Sequence, residues 1–335
     1  MSSGSVNWRE VFQYGISPGP GQGEGYWVFA PFLDGEIELF QLSVLSIGDA
    51  LRNLRTTVVT PDGARNFALR PTAGQTVASD HRVIGSADRF RLEVGPYLVL
   101  SSDAADRTYR IQTVDPENDI RTDLVVRPAS KHLWPIKGSH YFTTLDSVLE
   151  GTIVVKGKAH AVSTLCAFEH STWSVPTDGK PPTSGMPPFW HYEYIQWTDG
   201  KRPFGSFLWH ILGAAGERNE DSGFLTAYPD NGALNYDAYE IVYQDIADRD
   251  GQALPQSWQV RATRGDESLS YKATVRTLTS STFKAGLGFS DVLLDCEGEY
   301  RGPGGVVPLR GRGRTEYIAS AYNPAKTLAA ALTPV

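Results

Sequence analysis

FWHYEYIQWTDGKRPFGSFLWHIL, residues 189–212, reads as two strands joined by a tight turn. Phe189 to Thr198 and Phe204 to Leu212 are dense in aromatic residues, which suit a pleated and half-buried surface, and Thr198-Asp199-Gly200-Lys201 between them carries turn chemistry. The two-residue period of a strand puts Phe189, His191, Glu193, Ile195 and Trp197 on one side and Trp190, Tyr192 and Tyr194 on the other. In the second strand Ser206, Leu208 and His210 share a face. A His–Glu pair facing outward is ordinary, but the same pair facing an apolar interior is a device for moving protons or orienting a ligand.

The same texture extends in both directions. Upstream, Gly25 to Ala30, Glu36 to Val44, Arg55 to Val59, Phe90 to Val94, Tyr97 to Ser101, Thr108 to Thr113 and Asp123 to Arg127 read as strands separated by turns such as Leu33-Asp34-Gly35, Pro61-Asp62-Gly63 and Gly95-Pro96. His160 to Ser171 precedes the opening pair across a Pro-, Gly- and Ser-rich loop from Val175 to Pro188, and the three strands are expected to form a meander. Downstream, strands are expected at Phe224 to Tyr228, Ala238 to Asp245, Ser257 to Thr263, Ser268 to Arg276, Val292 to Tyr300 and Arg314 to Ala319.

The polar, Gly-rich run from Gly213 to Gly223 is the best candidate for a boundary, which divides the chain into residues 1–213 and 214–335. The single stretch with helix composition, Pro324 to Leu332, opens with Pro at a tolerated first position. No repeat of about 20 to 50 residues stands out, which argues against a propeller or solenoid. The expected class is all-β, with two antiparallel barrel or sandwich domains and a short C-terminal helix.

Composition limits the function. The 335 residues are 41% apolar and 21% charged, enough for a substantial core, and the net charge of −7 is spread through the chain. No broad basic surface exists to attract nucleic acid. The opening MSSGSVNWRE does not resemble a signal peptide, and no run approaches the roughly 20 apolar residues that span a bilayer, so a cytoplasmic protein without a transmembrane segment is expected. Cys166 and Cys296 are the only cysteines; one bridge between them is the alternative, and two buried free thiols are the favoured reading. A homodimer is compatible with the sequence but not specified by it.

Several chemistries lack their signature. Gly19, Gly21, Gly23 and Gly25 have the wrong spacing for a dinucleotide fingerprint and precede a strand, so they read as a flexible loop. Gly302 to Gly305 read as a hairpin turn, and Arg310, Arg312 and Arg314 then share one face; a solvated face is the favoured reading, with an anion or carboxylate clamp as the other. His160, His170, His191 and His210 form no metal-binding motif, and no nucleophile elbow is present. No cofactor and no metal are implied.

General acid–base chemistry remains. In LCAFEHSTW, Cys166, Phe168 and His170 lie on one side and Leu165, Ala167 and Glu169 on the other. If the three meander strands are adjacent, they gather His170 or Glu169, His191, Glu193 and His210 among Trp and Phe side chains, where a carboxylate loses hydration. A single such residue on a strand usually just faces water. The concentration of the group is the reason to read it as an apolar pocket with a few orienting polar groups.

FEHSTW (168–173), WHYEYIQWTDG (190–200), LPQSW (254–258) and LLDCEGEYRGPGGVVPLRGRGRTEYIASAY (293–322) occur in an order that resembles the carotenoid 1,2-hydratase, or hydroxyneurosporene synthase, family. VVRPASKHLWP (125–135) adds a weaker upstream match. The family's acid-His or acid-Arg pair before a Trp appears here as Glu169-His170 ahead of Trp173, and its closing G-x-G-x-x-E-x-x-x-Y strand as Gly311, Gly313 and Glu316, with the Tyr displaced to Tyr322, two residues late, or to the earlier Tyr317. The family often has Trp-Asp-Trp where this chain has Trp190-His191-Tyr192, so His191 stands in an acidic position and Glu193 is the nearest carboxylate.

The resemblance implies two lipocalin-like domains and a hydrophobic polyene, terpenoid or polyketide-like substrate, of the kind met in secondary metabolism. The expected activity is that of a hydratase, dehydratase, isomerase or cyclase working without a cofactor. His191 and Glu193 would exchange protons with the substrate, Glu169 and His170 would orient them, and Trp190, Tyr192, Trp173, Trp197, Trp209 and His210 would line the site. The rival readings are a pericyclase, which works by holding the substrate near its reactive geometry, and a non-catalytic carrier of a hydrophobic ligand.

Overall fold

The computed structural model describes residues 22–47, 51–69, 81–86, 89–103, 105–129, 132–134, 139–174, 189–213, 217–220, 222–228, 232–249, 252–284 and 287–320. These residues form strands, turns and bends and no helix, as the aromatic and β-branched texture requires. The helix expected at Pro324 to Leu332 lies outside the described residues. No helix among them is long and apolar enough to cross a membrane.

The first sheet contains β1 (Gln22–Pro31), β2 (Leu39–Ile47), β3 (Leu51–Thr60), β4 (Gly63–Leu69), β5 (His81–Ser86), β6 (Arg89–Val94), β7 (Leu98–Asp103), β8 (Thr108–Asp115), β9 (Ile120–Arg127), β10 (His132–Trp134), β11 (Ser139–Val155) and β12 (Lys158–Ser174). Its order is β4-β3-β2-β1-β12-β11-β9-β8-β7-β6-β5, with β10 beside β11. Burial alternates along β6 to β9, as in a curved sheet with one face on a core.

Sequence patterning passed over β11, one of the longest strands. A register shift between Thr144 and Ser147 breaks its alternation, and Gly151 interrupts its apolar run. Gly151 is required there: φ is 143°, and a Cβ would lie 2.2 Å from the Asp123 carbonyl oxygen on β9. The β11–β12 hairpin turns at Lys156 and Gly157, both with positive φ (50° and 77°), the backbone that suits two-residue hairpins.

The second sheet contains β13 (Phe189–Thr198), β14 (Pro203–Leu212), β15 (Gly223–Tyr228), β16 (Gly232–Asn235), β17 (Ala238–Arg249), β18 (Gln252–Arg264), β19 (Glu267–Lys284), β20 (Leu287–Gly302) and β21 (Gly305–Ser320), in the order β16-β15-β14-β13-β21-β20-β19-β18-β17. The sheet curls around one core to which β13, β14, β15 and β17 to β21 all contribute, with Trp197, Trp258, Tyr271, Leu208 and Leu294 among its members. Each large side chain buried there contributes roughly 1.5–3 kcal/mol. Near the ends of the sheet, Tyr236 N–H donates to the Phe224 carbonyl and Asp237 N–H to that of Thr263.

This topology corrects two expectations. The three-strand meander does not form, because β12 pairs with β1 and β11 while β13 pairs with β14 and β21. The boundary is also displaced from 213/214. The chain divides into two compact units after Ser184, with Pro31–Leu33 grouped with the second. The reason is non-local pairing: β13 is registered with β21 from Phe189↔Ala319 to Thr198↔Arg310, which draws the opening hairpin into the later sheet. The polar run after Gly213 is a connection within that sheet, held by Gly213 N–H to Glu217 O and Asn219 N–H to Ile211 O.

Candidate functional site

The inner face of β13 carries His191 and Glu193, 0% and 1% exposed. Strand alternation sends them inward with Phe189, Ile195 and Trp197, as expected from the sequence. Three donors converge on the Glu193 carboxylate. Trp258 Nε1 donates to Oε2 at 2.8 Å, Thr315 Oγ1 to Oε2 at 3.2 Å, and the Tyr271 hydroxyl to Oε1 through a short bond. Burying a carboxylate is costly unless its lone pairs are used, and hydrogen bonds to a charged acceptor are among the strong ones. Burial, and then the charge of Glu193, pushes the Tyr271 hydroxyl well above its usual range, so it remains a neutral donor.

His191 stands beside this carboxylate. Its Nδ1 is 2.8 Å from the Tyr243 hydroxyl, and its Nε2 is 3.5 Å from Glu193 Oε2, an electrostatic contact without hydrogen-bond geometry. Trp258 and Tyr317 meet the imidazole edge-on, with ring centroids at 5.0 and 4.9 Å. Burial raises the Tyr243 and Tyr317 hydroxyls well above the phenol range, reinforced by neighbouring tyrosines and by Glu193. If Tyr243 donates to Nδ1, the neutral ring carries its proton on Nε2. If Nδ1 donates, Nε2 is a base. Either tautomer offers Nε2 for proton transfer.

His210 sits opposite His191 in the β13–β14 register and shares its face. Its Nδ1 is 2.9 Å from the Tyr239 hydroxyl, whose ring has the Arg218 guanidinium 3.5 Å from its centroid. Burial first, then the charges of His191 and Arg218, lowers the His210 pKa to about 3. At neutral pH it is an uncharged neighbour and not a proton donor. Trp197 also lines this side, with its indole N–H committed to Ser206 Oγ at 2.7 Å.

Trp190, Tyr192 and Trp209 do not wall this site. They occupy the opposite face of the hairpin, because 190 and 192 alternate with 191 and 193, and Trp209 is the register partner of Tyr192. There Tyr192 packs edge-on against Phe207 and Trp209 at 4.5 and 4.9 Å. The same face holds Arg314, fully buried, which pairs with buried Asp291 through a short contact and donates to Glu316 Oε2 at 2.6 Å. Trp190 Nε1 donates to Glu316 Oε1 at 3.2 Å. The arginine row is therefore not one solvated face: Arg310 is exposed, Arg312 lies 3.3 Å from Asp295, and Arg314 is a carboxylate clamp within the protein.

Glu169 and His170 belong to β12 in the first sheet, which does not pair with β13, so the orienting role expected from the meander has no basis. His170 instead forms a buried cluster of its own. Its Nε2 is 2.8 Å from Glu24 Oε1, which also accepts from the Tyr26 hydroxyl at 3.0 Å, and the Tyr26 and His170 rings stack at 4.3 Å. Glu169, 2% exposed, alternates with His170 along β12 and accepts from Thr143 Oγ1 at 3.4 Å. Trp173 holds a backbone position on β12 opposite Gly23; its side chain lies outside what is described.

Sequence reasoning did not assign Tyr243, Tyr271, Thr315 or Tyr317 to the site, nor Trp258, although LPQSW (254–258) and the closing stretch 293–322 carry the family resemblance. Their common signal is a polar-tipped residue on the inward phase of a strand. That phase can be interpreted only once the closing partner is known. Both cysteines are buried free thiols, as expected. Burial raises both thiol pKa values above the ordinary range, which makes them poor nucleophiles.

No family model and no curated protein matches the chain. Solved structures do match along most of its length. An AttH-assigned protein from Nitrosomonas europaea shares 13% identity at a TM-score of 0.64, with 90% of this chain and 93% of that one covered. Kievitone hydratase from Nectria haematococca shares 11% at 0.61, with 92% and 94% covered. CghA, in its structure with Sch210972, shares 14% at 0.59, with 90% and 89% covered. The resemblance read from the sequence is thus matched at the level of the fold.

Proposed function

We propose that the second β-unit is an acid–base catalyst for an apolar, unsaturated small molecule, working through its own side chains and without a cofactor. The observation that carries this reading is the buried His191–Glu193 pair, 3.5 Å apart and enclosed by Tyr243, Trp258, Tyr271, Thr315 and Tyr317. His191 Nε2 is the proton carrier. Glu193, held by three donors, is its electrostatic partner. Aromatic faces around the pair suit a substrate that develops positive charge when an alkene is protonated.

The reaction class is hydration, dehydration, isomerisation or cyclisation. Likeness to the fold of kievitone hydratase supports the choice of a lyase or isomerase over a carrier, and CghA with Sch210972 supports a small organic ligand. Offering a panel of conjugated polyenes and enones in deuterated water and following label uptake by mass spectrometry tests the reading. Uptake is expected with the native chain, and His191→Ala and Glu193→Gln should each reduce it by about 10²-fold or more. Equal rates in all three proteins would remove the assignment. An apolar molecule retained unaltered in native mass spectrometry, with no label uptake, would mean carriage.

A further inference from the structure

Two buried polar atoms facing the proposed site have no hydrogen-bond partner within the described protein: His191 Nε2 and the Tyr317 hydroxyl. Their residues are 0% and 3% exposed, are register partners on adjacent strands β13 and β21, and have ring centroids 4.9 Å apart. Other polar side chains around them are engaged. The Tyr243 hydroxyl is with His191 Nδ1, and those of Tyr271 and Thr315 are with Glu193, as is the Trp258 N–H. An unmade hydrogen bond on a buried hydroxyl is a standing cost to the fold, and a phenylalanine at 317 would avoid it. Groups left this way in an otherwise satisfied network mark the place where a ligand supplies the partner.

We infer that Tyr317 is a specificity-determining residue of this site, and that its hydroxyl and His191 Nε2–H together receive one carbonyl oxygen of an otherwise apolar substrate. This rests on the reading of the site given above and narrows its substrate to an unsaturated ketone or aldehyde. The preference for a carbonyl follows from donor counting. With Tyr243 donating to Nδ1, both open atoms are donors, and a carbonyl oxygen accepts two hydrogen bonds. An alcohol has a proton of its own: given to the Tyr317 oxygen it leaves the phenol proton unmet, and given to Glu193 it competes with three donors already there. A hydrocarbon leaves both donors unmet, the situation in which a polar site discriminates most strongly.

Three probes of nearly equal shape test this: 2-acetylnaphthalene, 1-(2-naphthyl)ethanol and 2-isopropenylnaphthalene, with affinities measured by calorimetry on the full chain. The ketone should bind at least about tenfold more tightly than the isopropenyl hydrocarbon, with the alcohol between them. Tyr317→Phe should reduce that ratio severalfold by weakening ketone binding, with His191 Nε2–H left as the one remaining donor, and should raise Tm, because it removes an unsatisfied buried hydroxyl. Equal binding of ketone and hydrocarbon to the native chain, no binding of any probe, or a lower Tm in Tyr317→Phe would each overturn the inference. Binding preference is independent of turnover: ketone selectivity without label uptake would sink the catalytic proposal and leave this one standing.

Discussion

Tyr271 on β19 donates its hydroxyl to Glu193 on β13, although the two residues are 78 positions apart and their strands are separated in the sheet by β21 and β20. The bond crosses the interior of the curled sheet, so it joins walls that no strand ladder connects. Its removal should be felt as a loss of stability. Tyr271→Phe is expected to cost about 1.5–3 kcal/mol, the range for a hydrogen bond to a charged group, in urea unfolding followed by fluorescence. Trp258→Phe removes a second donor from the same carboxylate. The double variant should depart from additivity by more than about 0.5 kcal/mol, and strict additivity would show that the donors do not act as one network.

Arg314 and Asp291 form a fully buried ion pair on the other face of the second sheet. Arg314→Met removes the cation that Asp291 and Glu316 share and should destabilise the protein by about 3–5 kcal/mol. Combining it with Asp291→Asn should restore a large part of that loss. Chemical denaturation of the three variants checks both statements.

Acid should destabilise the fold through His210. Its folded pKa is lowered to about 3, so the unfolded chain takes up a proton near the ordinary histidine value that the folded chain refuses. The sign is therefore a loss of stability as pH falls from about 6.5 towards 3, with the contribution fully present above that window. His210→Gln, whose amide can still hydrogen-bond the Tyr239 hydroxyl, should flatten this part of the pH–stability curve. An unchanged slope would show that the imidazole is not the group responsible.

Gly311 and Gly313 lie on the inward phase of β21, where a Cβ would come within 2.6 Å of the Trp197 ring and 2.8 Å of Ile195 Cγ1, respectively. Alanine at either position overpacks a filled core and should cost roughly 1–3 kcal/mol. Thermal unfolding checks this. For Gly311→Ala, a loss of the native Trp197 fluorescence environment is expected as well, since the ring must move.

Much of the fold was legible because its signals are local. β6, β7 and β8 were read nearly to their ends and β9 all but its first three residues, since each alternates regularly between recognisable turns; β13 and β14, buried on both faces, were found from their dense aromatic runs and the turn between them. β11 was missed where a bulge and a strand-interior glycine break the alternation. The site was legible in part for the same reason. The period of two correctly placed His191, Glu193 and His210 on one inner face, and it also separated them from Trp190 and Tyr192, which the structure keeps on the opposite side.

The sequence by itself determined the all-β class, the hairpin turn after Thr198, and the inward phase shared by His191 and Glu193, because alternation and turn chemistry act over a few residues. Only the tertiary structure decided that β13 joins β21 and not β12, that the units divide after Ser184, and that Glu24 and not Glu193 is the carboxylate beside His170. It alone brought Tyr243, Trp258, Tyr271, Thr315 and Tyr317 around one buried pair. The physical reason is that any strand edge presents the same backbone donors and acceptors. The choice of partner is made by the closure of a whole sheet around its core, which no short stretch of sequence encodes.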